Sequence, residues 1–144
     1  MVSATDVLTE IVHESTQQGD HGFDITVAQI FDVIEPGRVD FGGDELDEAE
    51  LRACPSNKRF PEDEYEWWNL ESGCYVIEYN ESVSTRDVSL TIQTRGEVLA
   101  RGAFHPTIHV SSVPRVPFYV GGAGIRIKEN ARLSTIVDID RDGA

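Results

Sequence analysis

Cysteine, lysine and methionine are all scarce in this 144-residue sequence. Its two cysteines, Cys54 and Cys74, sit in unlike contexts, one in a polar Cys-Pro-Ser-Asn stretch and one in an apolar run, which argues against a disulfide framework. Basic residues number 12 against 26 acidic ones, a formal charge of -14. That sign opposes a surface built to grip phosphate backbones, so no nucleic-acid partner is expected. No apolar run approaches the ~20 residues of a membrane span. The stretch Met1 to Gln18 is acidic and polar where a signal peptide is basic and then apolar. The expectation is a soluble cytoplasmic protein without a membrane partner.

What is present suffices for a core. Apolar residues make up 40% of the chain, and its length suits one domain spanning residues 1–144. Lysine occurs only at Lys58 and Lys128, while Asp and Glu crowd the turns. With a pI of about 4.5, this pattern suits a halophile's cytoplasm, where salt screens the self-repulsion of a large net charge.

Val7, Leu8, Ile11 and Val12 stand at helical spacing, and with Ser3 as N-cap they predict one short helix over Ser3 to Glu14. The rest of the chain changes to short runs rich in β-branched and aromatic residues. Strands are predicted at Phe23 to Ile34, Cys74 to Tyr79, Val88 to Thr94, Thr107 to Val113, Gly124 to Lys128 and Leu133 to Ile139. Between the first two, Asp40 to Glu66 is a proline-, glycine- and acid-rich excursion, in which Asp44 to Arg52 has the propensity for a helical turn or two. Trp67-Trp68 closes the excursion, and adjacent residues of a strand face opposite sides, so at least one indole is expected on the core or a partner subunit and the other over a surface or a ligand, with core packing the favoured role for either.

Four segments carry residues suited to chemistry. His21-Gly22-Phe23-Asp24 delivers a carboxylate to a strand start, where it can orient a metal-bound water or bond backbone amides. Arg95 and Arg101 flank Gly96-Glu97-Val98-Leu99-Ala100, and paired guanidinium groups match phosphate oxygens; Glu97 can equally pair with either arginine. His105 and His109 are four apart, ~13 Å along a strand, too far for one metal ion, so each is a single base or a structural histidine. Pro114 to Gly124 is a hairpin signal carrying Tyr119, whose ring can cover a sugar; turn formation alone also explains its glycines.

In this order the segments resemble the dUTPase and dCTP deaminase family. Gly22-Phe23-Asp24-Ile25 is similar to its Gly-Tyr-Asp-Leu motif. Trp68 to Glu81 is similar to its Tyr-Val, Asn-Glu strand and turn, Arg95 to Gly102 to Arg-Ser-Ser-Leu-x-Arg-x-Gly, and Val116 to Gly121 to Asp-Pro-Gly-Tyr-x-Gly. The resemblance covers roughly residues 11 to 139 and implies a mainly β, distorted barrel (β-clip) with one short N-terminal helix. It further implies a homotrimer with active sites between subunits. Such enzymes hydrolyse dUTP to dUMP and pyrophosphate with Mg2+, deaminate dCTP to dUTP and ammonia without a metal, or do both. By the same resemblance Arg95, Arg101 and Gly102 bind the phosphates of a deoxynucleoside triphosphate, Tyr119 packs on deoxyribose, and Asp24 serves a metal or a water.

The departures define an alternative. Val116 stands where the family has its water-activating aspartate, and a valine accepts no proton. Gly96 and Glu97 replace two phosphate-motif serines, Val120 replaces an acidic position, and Thr135 stands at the late glutamine. A shifted register over residues 105–119 would supply His105, His109 or Glu97 as a substitute base. Asp24, Glu97 and His105 are therefore the candidate catalytic groups. The first expectation is a dUTP diphosphatase or dCTP deaminase; the alternative is an inactive homotrimer that binds a nucleotide or a protein partner.

Overall fold

A computed structural model of the chain describes residues 2–141. The N-terminal segment comprises α1 (Ala4–Val7), β1 (Leu8–Thr9) and α2 (Glu14–Gln17). There follow β2 (Phe23–Glu35), β3 (Glu50–Ala53), β4 (Trp67–Leu70), β5 (Gly73–Tyr79), β6 (Ser82–Val83) and β7 (Val88–Thr94). After a one-turn helix, α3 (Gly96–Leu99), come β8 (Ala103–Phe104), β9 (Ile108–Val110), β10 (Val116–Val120), β11 (Ile125–Lys128) and β12 (Arg132–Arg141). The architecture is mainly β, as the β-branched runs predict. No helix among the described residues is long and apolar enough to cross a membrane.

The main sheet is antiparallel and runs β8-β10-β5-β2-β12-β7-β9, with β3 added on β2. Two small antiparallel pairs, β1 with β6 and β4 with β11, complete it. The 13-residue β2 holds the sheet together: its first half pairs with β12 and its second with β5 and β3. Phe23, Ile25 and Val27 point inward, and a register shift against β5 between Val27 and Gln29 resets the alternation so that Ile30 is also buried. Similar shifts along β12 put Leu133, Ser134 and Ile136 inside and leave Val137 exposed, which a strict alternation from Leu133 does not produce. The buried apolar side chains form one cluster.

Three sequence expectations are corrected. The helix over Ser3 to Glu14 is two single turns separated by β1, with Glu10 in the left-handed region at φ 62°. Short isolated helices are marginal, and here β6 pairs with Leu8 and Thr9 while the Ser84 N–H bonds the Val7 carbonyl at 2.7 Å. Asp44 to Arg52 forms no helix; Glu50–Ala53 is instead a strand on the outer half of β2. Val116–Val120 is a strand between β8 and β5, not part of a hairpin turn. The tryptophans follow expectation: Trp68 is buried, and Trp67 lies under the Arg59 guanidinium, 4.7 Å from its ring.

Candidate functional site

Asp24 owes its position to two neighbours. Gly22, at φ +149°, lies so close to β12 that a Cβ there would stand 2.2 Å from the Ile136 carbonyl oxygen. Only glycine lets β2 begin against β12 in this way. From that start Asp24 falls opposite Thr135, and Thr135 falls opposite Gln93, so three adjacent strands place Asp24, Thr135 and Gln93 in one row.

On this row the charges converge. The Thr135 hydroxyl donates to Asp24 Oδ1 at 2.7 Å. Arg132 Nη1, itself anchored to the Thr16 carbonyl at 3.0 Å, reaches Asp24 Oδ2 at 3.2 Å. Arg95 Nε stands 3.4 Å from the same oxygen, and the Arg95 backbone N–H is tied to Leu133 at 2.9 Å. Two guanidinium groups, one from the N-cap of α3 just past β7 and one from the start of β12, therefore share one oxygen of a carboxylate whose side chain is only 10% exposed. A cleft of about 450 Å³ opens over this group, with Asp20, His21, Gly96 and Glu97 on its rim. An apolar groove of about 440 Å³ adjoins it, sharing Gly22 and Val137 and lined further by Phe23 and Ile136.

The remaining candidates lie elsewhere in the protomer. Arg101 does not converge with Arg95. Its Nη1 donates to the Glu97 carbonyl at 2.9 Å and stands 3.9 Å from the Glu97 carboxylate, along the single turn of α3. It lines a second cleft, of about 770 Å³, with Asn69, Gly124 and Arg126. Gly102, at φ +84°, ends the α3 turn, its N–H bonded to the Leu99 carbonyl at 3.1 Å. Tyr119 stands on the outer face of β10, stacked on Phe104 with ring centroids 5.4 Å apart, and lines neither cleft. Val116 is buried opposite Ile77.

His105 is enclosed in the core. Its Nδ1 lies 2.7 Å from the Pro106 carbonyl, which can only accept, so Nδ1 carries the proton and Nε2 accepts from the Ser134 hydroxyl at 2.7 Å. Tyr79 in turn donates to Ser134 at 2.6 Å. Burial lowers the His105 pKa from its ordinary value. His109 is exposed and bonds Thr91 at 2.9 Å.

Arg132 is the member of the site that sequence reasoning missed. One signal existed, an arginine at a strand start three positions before Thr135, but it reads equally as a neutraliser of acidic surface. The residues do not fit a metal held by the protein alone: both Asp24 oxygens are engaged, and among the described residues no group of three His, Cys, Asp or Glu side chains is placed to hold an ion.

No family model and no curated protein matches the chain. Among solved structures it is similar to 2'-deoxycytidine 5'-triphosphate deaminase from Agrobacterium tumefaciens, with a TM-score of 0.61 and 16% identity over 92% of this chain. The match covers 43% of that chain, so this protein spans less than half its length. The fold is the dUTPase-like fold that the sequence motifs imply.

Proposed function

We propose that the protein binds a deoxynucleoside triphosphate in the cleft over Asp24, as a homotrimer, and turns over dUTP or dCTP there by the diphosphatase or deaminase chemistry its fold accommodates. The carrying observation is the convergence of Arg95 and Arg132 on one carboxylate oxygen, 3.4 and 3.2 Å away, because a pair of guanidinium groups that shares one anionic oxygen is arranged to share a phosphate oxygen. The adjoining apolar groove suits the base and sugar end of such a ligand. Asp20 and Glu97 on the rim oppose a bare polyanion. Magnesium is therefore assigned to the substrate, arriving chelated by its phosphates and lowering their charge. In this reading Arg101 and the second cleft serve a neighbouring subunit's site.

A non-catalytic nucleotide binder is the second reading. It is favoured by Val116, whose side chain is in the core, and by Asp24, whose carboxylate is already held by hydrogen bonds from Thr135 and Arg132 and by the Arg95 ion pair.

The test is thermal unfolding in high salt with magnesium and dUTP, dCTP or dUMP. A triphosphate is expected to raise Tm in the wild type and not in Arg95→Ala or Arg132→Ala, while Arg52→Ala, paired at 3.6 Å with Asp32 away from the cleft, keeps the shift. No shift with any nucleotide overturns the proposal. Release of pyrophosphate or ammonia then separates enzyme from binder, and sedimentation of a strict monomer at micromolar concentration overturns the shared-site assembly.

A further inference from the structure

Asp24 occupies the place that the proposed ligand needs. Its Oδ2 lies within 3.4 Å of Arg95 Nε and 3.2 Å of Arg132 Nη1, the two groups assigned above to phosphate. The contact is built rather than incidental. The side chain is only 10% exposed, the Thr135 hydroxyl orients Oδ1 from the opposing strand at 2.7 Å, and Gly22 fixes the strand start that puts Asp24 there. Arg132 is held from a second direction by the Thr16 carbonyl. Without a carboxylate between them, two guanidinium groups at this spacing would repel each other in a partly dry site.

We propose, resting on the triphosphate-cleft reading, that Asp24 is a built-in counter-anion which keeps Arg95 and Arg132 together in the empty protein and which an incoming anion must displace. The carboxylate thereby sets a charge threshold. A ligand with several phosphate groups can outcompete one carboxylate, whereas a single phosphate exchanges one anion for another and gains little. The cleft accordingly selects polyphosphates over monophosphates by charge number.

The test is calorimetric titration of wild type and Asp24→Asn with inorganic tripolyphosphate and with orthophosphate, at fixed salt. Asp24→Asn keeps the shape and an acceptor for Thr135 but removes the charge. It is expected to bind tripolyphosphate about tenfold more tightly than wild type, and orthophosphate, silent with wild type, becomes measurable. Equal or weaker tripolyphosphate binding by the variant overturns the proposal and leaves the cleft reading standing, because Asp24 then positions the arginines instead of competing for them. Tripolyphosphate binding to neither protein overturns the cleft reading and this inference with it. Should Asp24→Asn not fold, Thr135→Val releases one carboxylate oxygen without changing charge. It is expected to bind tripolyphosphate about two- to threefold more tightly, and unchanged or weaker binding overturns the proposal.

Discussion

Glu81 is a buried carboxylate with no cationic partner among the described residues, and its replacement by glutamine isolates the value of its charge. The side chain is 1% exposed. Oε1 accepts from the Thr26 backbone N–H at 2.9 Å, and Oε2 accepts from the Thr26 hydroxyl at 2.7 Å and from Gln17 Nε2 at 2.8 Å. Glutamine has the same shape, but one of its terminal atoms is a donor. With the amide nitrogen in the Oε1 position it faces the Thr26 N–H; in the Oε2 position the Thr26 hydroxyl can turn to accept, yet Gln17 Nε2 still meets a second donor. Hydrogen bonds to a charged group contribute about 1.5–3 kcal/mol, and a buried donor left facing another costs ~1–3 kcal/mol. Glu81→Gln is therefore expected to lower stability by ~2–4 kcal/mol, which for a chain of this size is a fall in Tm of about 10 °C. Exposed Glu78, paired with Arg115 at 2.7 Å, is the control: Glu78→Gln should cost less than ~1 kcal/mol. The assay is urea unfolding followed by circular dichroism in high salt. A Glu81→Gln midpoint within error of wild type, or equal losses from both variants, would refute the reasoning. The consequence reaches the site, because Gln17 also donates to the Asp24 carbonyl at 2.9 Å and so ties the N-terminal segment to the start of β2.

Acidification should weaken the fold through His105. Burial lowers its folded pKa below the ordinary value of 6.5, so the unfolded chain takes up the proton first. The neutral histidine's stability is fully present above pH 6.5 and is lost as pH falls from there through the lower folded value; urea midpoints at pH 7.5 and 5.5 should differ, and the difference should shrink in His105→Gln. Gly22→Ala should prevent folding or cost more than ~3 kcal/mol, since its Cβ would meet the Ile136 carbonyl at 2.2 Å. Gly96→Ala, with nothing within 4 Å, should change the thermal midpoint little. Cys74 is exposed and should react at once with a thiol reagent in the native protein. Buried Cys54, its thiol pushed up to about 11 by burial and by Asp32, should react only on unfolding; equal native rates would contradict this placement.

Legibility in the sequence followed the range of the forces involved. Val88 to Thr94 is predicted as a strand and is one, because its alternation buries Val88, Leu90 and Ile92 with no register shift inside it against β9. The N-terminal helix failed where a distant strand offered Leu8 and Thr9 better pairing than their own turn. Val116–Val120 was hidden by Pro114 before it, Pro117 within it and the glycines that follow. Pro117 nevertheless sits on the solvent-facing side of a strand paired on both edges, with Val116, Phe118 and Val120 beneath it. Within the site, Asp24 and Arg95 were legible as motif residues. Their pairing was not, and neither was Arg132, because a guanidinium on a strand carries no periodic signal of its partner.

The sequence alone determined the β class and the order of the motifs, since these rest on residue order and on alternation that any strand obeys; the need for glycine at position 22 comes from the approach of β12, whose Ile136 carbonyl a Cβ would strike. Only the tertiary structure decided which charges meet. Asp24, Arg95 and Arg132 are separated along the chain, and their convergence follows from the antiparallel registers of β2, β12 and β7. Arg101 is instead held along α3 by Glu97, Tyr119 lies on β10 between β5 and β8, and His105 is enclosed behind Ser134 of β12. Electrostatic contacts depend on distances of a few ångströms in space, and that information is stored in strand pairing, not in residue spacing.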